Sequence, residues 1–146
     1  MTVRLAVYIG KGGLFNRVIR WRTGSDASHV ELVIDGLWYS SDIRDGGVRR
    51  KHIDPKPGEW RFLPLPWADA EAAVKWFDVN EEARYGAMDI LNHFLGIGRD
   101  GKGEICSEAC ASALGFFAPW KYTPASLERA CRARTVSWEA ANGTRQ

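Results

Sequence analysis

The segment from His29 to Asp42, HVELVIDGLWYSSD, constrains the fold of this chain more than any other part of it. Strand-forming residues alternate with polar ones on both sides of Asp35-Gly36, and Asp-Gly is a preferred two-residue turn between antiparallel strands. The pattern therefore predicts a β-hairpin in which Ile34 pairs with Leu37. Because side chains alternate across a strand, each strand of this hairpin presents one set of residues to each face of a sheet.

One face of the predicted hairpin is polar near its open end. Counting back from the turn places His29 opposite Asp42 and Glu31 opposite Ser40. The count depends on the length of the turn, and a difference of one residue replaces Asp42 by Ser41. The other face is apolar and is predicted to lie against the core; it carries Val30, Leu32, Ile34, Leu37 and Tyr39.

Further elements are predicted on both sides of the hairpin. Residues 3–9 are rich in strand formers, and RFLPLP (61–66) predicts a short edge strand because proline cannot donate to an interior ladder. The basic segment 44–60 is predicted to be a solvated loop. Helices are predicted on the apolar stripes at 14–19, at 70–77 with Asp69 as cap, at 90–95, at 105–115, and, as a last short helix, from Thr123-Pro124 onward.

This order of elements predicts an α+β fold in which a small antiparallel sheet packs against helices. We assign residues 1–138 to a single domain and 139–146 to a polar C-terminal tail. A net charge of +2 is too small to indicate a nucleic acid or a membrane as partner. No apolar run approaches the roughly 18 residues of a membrane span, and the first residues are not typical of a secretory signal. The chain is therefore expected to be cytoplasmic as synthesised.

The three cysteines form an odd count without disulfide spacing, which favours free thiols. Cys106 lies at the start of a predicted helix, where unpaired N–H groups and a partial positive charge favour a thiolate and can hold an oxyanion. Cys110, one turn further along the helix, is predicted to be inert packing, and Cys131 to be structural. Cysteines at i and i+4 with scattered histidines form no standard zinc pattern, so neither a metal nor another cofactor is predicted.

A histidine near such a thiol completes the chemistry, because it takes the thiol proton and gives it to the leaving group. His29 begins a strand and is the candidate for this base. A polar group beside it fixes its tautomer, and the hairpin count gives this role to Asp42. His93, on a predicted helix, is interpreted as a half-buried packing residue, and His52 as a solvated one.

Two of these segments resemble those that carry the catalytic residues of the circularly permuted NlpC-type papain-like enzymes, a group that includes the lecithin retinol acyltransferase-like enzymes. LFNRVIRWRTGSDASHVELVIDG (14–36) resembles the segment with their histidine, and ICSEACASAL (105–114) resembles their cysteine helix. YTPASLERA (122–130) resembles a short element that often follows. His29 precedes Cys106, which fits only the permuted order. The resemblance spans about residues 3–130 and implies a permuted papain-like architecture.

The resemblance implies Cys106 as nucleophile, His29 as base, and a third polar residue on the next strand, Asp42 or a neighbour. Glu31 stands where many relatives have a small residue. Three interpretations of Glu31 stay open: it crowds the site, it binds substrate, or it is the partner of His29. The candidates for substrate contact, all on the face of His29, are Glu31, Trp38 and Ser40.

The predicted function is a cysteine hydrolase, a papain-like peptidase or amidase, that cleaves amide bonds through a thioester acyl-enzyme. By analogy with the family, the expected substrate is a peptide of bacterial peptidoglycan. A bacteriophage or bacterial source, a phage or secretion assembly as partner, and association with a virion follow from the same analogy. Two alternatives stay open: a lipid acyltransferase or esterase with the same triad, and a non-catalytic phage structural protein that keeps the fold.

Overall fold

The computed structural model describes residues 1–13, 17, 20–21, 24–42, 47–81 and 105–143. In these residues five strands and three α-helices form, which confirms the predicted α+β class. The strands are β1 (Val3–Tyr8), β2 (His29–Ile34), β3 (Leu37–Asp42), β4 (Gly47–Lys51) and β5 (Trp60–Pro64). The helices are α1 (Ala70–Asn80), α2 (Ile105–Ala113) and α3 (Pro124–Gly143), with a 3-10 turn at Pro119–Lys121.

The five strands form one antiparallel sheet in the order β4-β3-β2-β1-β5. The hairpin of β2 and β3 has the predicted turn, with Ile34 paired to Leu37. Asp35 has φ of 48° and Gly36 has φ of 86°, so both turn residues are left-handed. This is the backbone of the two-residue turn whose twist matches that of the strands it joins.

The two edge strands were predicted with different success. β5 ends at Pro64 and lies at one edge of the sheet, as predicted. The prediction of a loop for residues 44–60 is wrong for residues 47–51, which form β4 at the other edge and pair with β3 from Gly47 to Lys51. Edge strands often carry charged side chains, because these hinder pairing with a further chain. A strand of this composition is difficult to distinguish from a solvated loop by sequence alone.

The three helices pack on one face of the sheet and enclose the main core. The apolar face of the hairpin lies in this core, as predicted. Burying one such aliphatic or aromatic side chain contributes about 1.5–3 kcal/mol, which makes this layer the main source of stability. The largest buried side chains of the layer include Leu5, Leu32, Leu65, Phe77 and Leu127.

Side-chain caps fix where α1 and α3 begin. The carboxylate of Asp69 accepts a hydrogen bond from the Ala72 N–H at 3.0 Å, as predicted. At α3, the Ser126 N–H donates to Thr123 Oγ1 at 3.2 Å and the Thr123 N–H donates to Ser126 Oγ at 2.8 Å. The predicted threonine cap and proline start of α3 are confirmed. The helix is longer than predicted, since it includes residues 139–143, which were assigned to the tail.

The other face of the sheet carries a smaller apolar cluster and the polar groups of the hairpin. Ala6, Val33 and Trp38 are buried in this cluster, and Trp60 packs against them. His29 and Glu31 alternate with the core residues of β2 and therefore belong to this second face, as predicted.

Some predicted features lie outside the described residues. These are the stripe residues of the first predicted helix (Leu14, Phe15, Val18 and Ile19), the helix at 90–95 with His93, and the connection at 96–104.

Candidate active site

Cys106 is the second residue of α2, close to the N-terminal end of that helix. The helix lies against β2 and β3, and small buried side chains allow this close approach: Ala109, Cys110, Ala111 and Ala113. The N–H groups of a first helical turn have no partner within the helix and carry partial positive charge. The thiol is therefore placed beside donors that suit an anion, with 6% of Cys106 exposed.

His29 begins β2, where the backbone on both sides is held in place. It pairs with Tyr8 of β1, and the preceding Ser28 N–H donates to the Tyr8 carbonyl oxygen at 3.0 Å. The imidazole Nε2 lies 3.0 Å from Glu31 Oε1. The side chain of Cys106 lies near enough to the ring to raise its pKa. The imidazole thus connects Cys106 with Glu31.

The surroundings of His29 favour its protonated form. Burial by itself lowers the pKa of His29, but the electrostatic attraction and hydrogen bond of Cys106, followed by those of Glu31, outweigh it and raise the pKa to about 10. At neutral pH the ring is then an imidazolium between a carboxylate and a sulfur atom. A protonated imidazole in this position is able to donate a proton to a neighbouring group.

Glu31 is the carboxylate that holds His29. Its side chain is 2% exposed, and its Oε1 also accepts from Arg49 Nη2 at 2.8 Å while Oε2 accepts from Arg49 Nη1 at 3.1 Å. Burial alone raises the pKa of Glu31, but the hydrogen bonds from His29 and Arg49 reverse this, and the pKa lies below its ordinary value. Of the three interpretations of Glu31 left open by the sequence, the geometry favours the partner of His29.

The carboxylate that this geometry places against His29 is that of Glu31, whereas the hairpin count favoured Asp42. Asp42 ends β3, is half-buried and lies opposite Gly47 of β4. Ser41, the other candidate, is buried, and within the described part of the chain its Oγ has no hydrogen-bond partner. The hairpin count considered residues across the strand pair, but residues i and i+2 of one strand also share a face. A long glutamate side chain therefore reaches a histidine two positions before it.

The three residues predicted to contact substrate are all buried. Glu31, Trp38 and Ser40 are each at most 3% exposed. The Trp38 ring packs edge-on against Trp60, with 4.9 Å between ring centroids, and Ser40 Oγ donates to the Val30 carbonyl oxygen at 2.8 Å. These side chains support the sheet and present almost no surface to a ligand.

Two residues near His29 were not predicted from the sequence to belong to the site. Arg49 belongs to the segment predicted to be a solvated loop, yet its side chain is 11% exposed and bonded to Glu31. Had residues 47–51 been recognised as a strand, alternation would have placed Arg49 on the face of His29. The second residue is Trp60, whose ring centroid lies 6.3 Å from that of His29.

The other two cysteines are free thiols, as predicted. Burial raises the pKa of Cys110 well above its ordinary value, and its sulfur lies 3.7 Å from the Val30 carbonyl oxygen. Burial likewise raises the pKa of Cys131 to about 12. Both thiols stay protonated at neutral pH, and a protonated thiol is a poor nucleophile. Cys106 is the cysteine that the fold equips with a base.

Among the residues that the structure describes, no group of three or more His, Cys, Asp or Glu side chains is arranged to hold a metal ion. Over the same residues, no helix has both the length and the apolar surface to cross a membrane. Comparison of the chain with protein-family models, with curated protein sequences and with solved structures gave no match.

Proposed function

We propose that this chain is a cysteine hydrolase that cleaves amide bonds, with Cys106 as nucleophile, His29 as proton carrier and Glu31 as the group that orients His29. The observation that carries the proposal is the position of one imidazole ring, whose Nε2 lies 3.0 Å from a buried carboxylate and whose pKa is raised by a thiol close by at a helix start. A nucleophile, a base within hydrogen-bond reach and a third group that orients the base together define an activated nucleophile.

In the acylation step, the sulfur of Cys106 attacks the carbonyl carbon of the amide, and the electron pair of the C=O bond moves to its oxygen. N–H groups of the first turn of α2 are the donors available to this oxyanion. When the oxyanion collapses, the C–N bond breaks, and the leaving amine takes the proton of the His29 imidazolium. The products are a free amine and a thioester on Cys106.

In the deacylation step, a water molecule attacks the thioester while neutral His29 accepts one of its protons. The C–S bond then breaks, and the sulfur leaves as a thiolate. The carboxylic acid product departs, and the imidazolium beside the thiolate is restored. Glu31 stays ionised throughout, because Arg49 and His29 both donate to it.

The substrate class that we propose is a peptide of bacterial peptidoglycan, on a permuted papain-like architecture. Support comes from the resemblance of residues 14–36 and 105–114 to the permuted NlpC-type enzymes. It also comes from the order of the site along the chain, with the histidine on a strand and the cysteine at the start of a later helix.

A lipid enzyme would need an exposed apolar or basic surface for contact with a membrane, and the basic run Arg49-Arg50-Lys51 is the candidate for such a surface. Arg49 bonds to Glu31, and Arg50 pairs with Asp78 at 2.8 Å and with Glu81 at 3.3 Å. Carboxylates of the chain itself therefore balance two of the three charges, which weakens the case for an anionic lipid surface.

The proposal is tested by labelling the protein with an iodoacetamide probe and incubating it with purified peptidoglycan. We expect labelling at Cys106 that is lost in Cys106→Ala and slowed in His29→Ala. The matched control is Cys131→Ala, which removes a thiol without a base and should change neither labelling nor turnover. New amine groups should appear in peptidoglycan with the wild-type protein and be absent with Cys106→Ala.

Three outcomes contradict parts of this proposal. If the protein turns over lipid esters and not peptidoglycan, the proposed substrate class is wrong and the lipid alternative takes its place. Labelled Cys106 without turnover of either substrate favours the non-catalytic structural protein. If Cys106 and Cys131 are labelled equally, and His29→Ala does not change this labelling, then Cys106 is not activated by His29.

A further inference from the structure

Arg49 reaches Glu31 across an intervening strand. Glu31 is on β2 and Arg49 on β4, with β3 between them. The residue of β3 that pairs with Arg49 is Ser40, whose hydroxyl is turned down to the Val30 carbonyl oxygen. A serine at this position is small enough to let the guanidinium extend over β3. The reach of Arg49 to the site therefore depends on Ser40.

The contact between Arg49 and Glu31 is a two-pronged one. Nη2 donates to Oε1 at 2.8 Å and Nη1 donates to Oε2 at 3.1 Å, so the planes of the two groups are matched. Oε1 also faces His29 Nε2 at 3.0 Å. A carboxylate held by this fork cannot turn its plane without breaking at least one charge-assisted hydrogen bond.

This ion pair is a poor device for stability. The side chains of Glu31 and Arg49 are 2% and 11% exposed. Removing two ions from water carries a desolvation cost that their attraction often fails to recover, and apolar residues of similar volume commonly serve the fold as well or better. Glu31 of this pair contacts His29, and the His29 ring lies close to Cys106, which places the pair where a positioning role is needed.

We propose that Arg49 is a positioning residue, which fixes the Glu31 carboxylate in one orientation and keeps it charged so that Glu31 aligns His29 toward Cys106. This role rests on the proposed function. Arg49 acts on His29 through Glu31, to which both of its terminal nitrogens donate. Without Arg49, the carboxylate is free to turn and accepts a proton more easily, and in either case the imidazole loses its fixed direction.

The charged and titratable groups that act on Glu31 come from three elements. His29 lies beside it on β2, Arg49 reaches it from β4, and Cys106 and Cys110 face this region from α2. Loss of Arg49 removes one of the two cations that keep Glu31 ionised. The direction of the effect is therefore fixed. Without Arg49 the Glu31 carboxylate is easier to protonate, so the pH at which Glu31 loses its charge is higher.

The test compares Arg49→Met, Arg49→Lys, Glu31→Gln and the double variant of Arg49→Met with Glu31→Gln. The first readout is the pH titration of the Glu31 carboxyl carbon by ¹³C NMR, assigned by its absence in Glu31→Gln. We expect its midpoint to rise by about 1–3 pH units in Arg49→Met, the usual effect of losing an adjacent opposite charge. In Arg49→Lys, which keeps the charge but not the fork, the midpoint should stay near that of the wild type.

The second readout is the rate of Cys106 alkylation by iodoacetamide against pH, which requires no substrate. Its acid limb should move upward in Arg49→Met, in step with the Glu31 titration. In a Glu31→Gln background the same substitution should cause no further movement. With peptidoglycan as substrate, the kcat of Arg49→Met should be about 10- to 100-fold below that of the wild type, with KM unchanged. This is the scale expected when a catalytic group is held about 1 Å out of place.

An unchanged Glu31 titration in Arg49→Met overturns this proposal. The proposal is also overturned if Arg49→Met lowers the rate of Cys106 alkylation equally in the wild type and in the Glu31→Gln background. Arg49 would then have a structural role that does not depend on Glu31. If circular dichroism shows that Arg49→Met is unfolded, the test relies on Arg49→Lys. A wild-type kcat in Arg49→Lys would show that the pair of hydrogen bonds from the guanidinium to Glu31 is not required, which contradicts the proposal. Failure of the proposed function is seen separately, as turnover that survives in Cys106→Ala.

Discussion

His29 and Glu31 stand two positions apart on one strand, and the imidazole Nε2 of the first lies 3.0 Å from the carboxylate Oε1 of the second. Residues at i and i+2 point to the same face whatever the neighbouring strands do. The imidazole and its carboxylate partner are therefore one local unit, and α2 brings Cys106 close to it.

The first prediction concerns the charge on His29. The pKa of about 10 depends most on Cys106 among the groups that raise it. Replacing Cys106 by alanine leaves burial, which lowers the pKa, opposed only by Glu31. We expect the His29 titration midpoint, followed by ¹H–¹⁵N NMR of the imidazole, to lie near pH 10 in the wild type and clearly lower in Cys106→Ala. Cys131→Ala is the control, and an equal midpoint in all three proteins contradicts the pairing.

The second prediction concerns stability in acid. The pKa of Glu31 is lower in the folded chain than its ordinary value of 4.5, so its ionised form stabilises the fold. By linkage, this contribution is complete above about pH 4.5 and is lost as the pH falls through the folded-state value. We expect the difference in free energy of unfolding between the wild type and Glu31→Gln to narrow below that pH. Urea unfolding followed by tryptophan fluorescence measures it, and a difference that widens in acid contradicts the sign.

The third prediction separates packing from substrate binding at Trp38. Because this ring is buried against Trp60, Trp38→Ala should destabilise the fold by about 3–5 kcal/mol, the usual cost of deleting a large core aromatic. KM should stay unchanged at temperatures where the variant is folded. Phe117, which is 91% exposed, gives the matched control, and Phe117→Ala should change stability by less than about 0.5 kcal/mol. A raised KM with unchanged stability restores Trp38 as a substrate-binding residue.

The fourth prediction concerns the start of α1. Asp69 accepts a hydrogen bond from the Ala72 N–H, and loss of such a cap typically costs about 1 kcal/mol. Thermal unfolding of Asp69→Ala should show this loss, whereas Asp69→Ser, which keeps an acceptor, should recover most of it. If alanine and serine behave alike, the cap contributes nothing.

The features that the sequence predicted well are local ones. The Asp35-Gly36 turn and the caps at Asp69 and Thr123 are set by residues within a few positions of each other. The register of the hairpin next to its turn follows from the turn. Such turns and caps can be predicted from a few neighbouring residues, without knowledge of the rest of the chain.

The features that the sequence did not reveal depend on contacts between distant segments. β4 carries Arg49, Arg50 and Lys51, and what makes it a strand is its pairing with β3. A loop at residues 47–51 gives Arg49 no position beside Glu31, so the hairpin count alone favours Asp42 as the acid. The length of α3 was likewise underestimated, because a polar helix surface resembles a frayed tail.

The position of α2 after the whole sheet along the chain has a consequence for synthesis. On the ribosome, the residues of β2 and β4 emerge before Cys106, and the thiol meets its base only when α2 docks on β2 and β3. A nascent polypeptide in which α2 has not yet docked therefore holds Cys106 apart from His29. The proposed active site is completed by one late folding step, after all five strands have been synthesised.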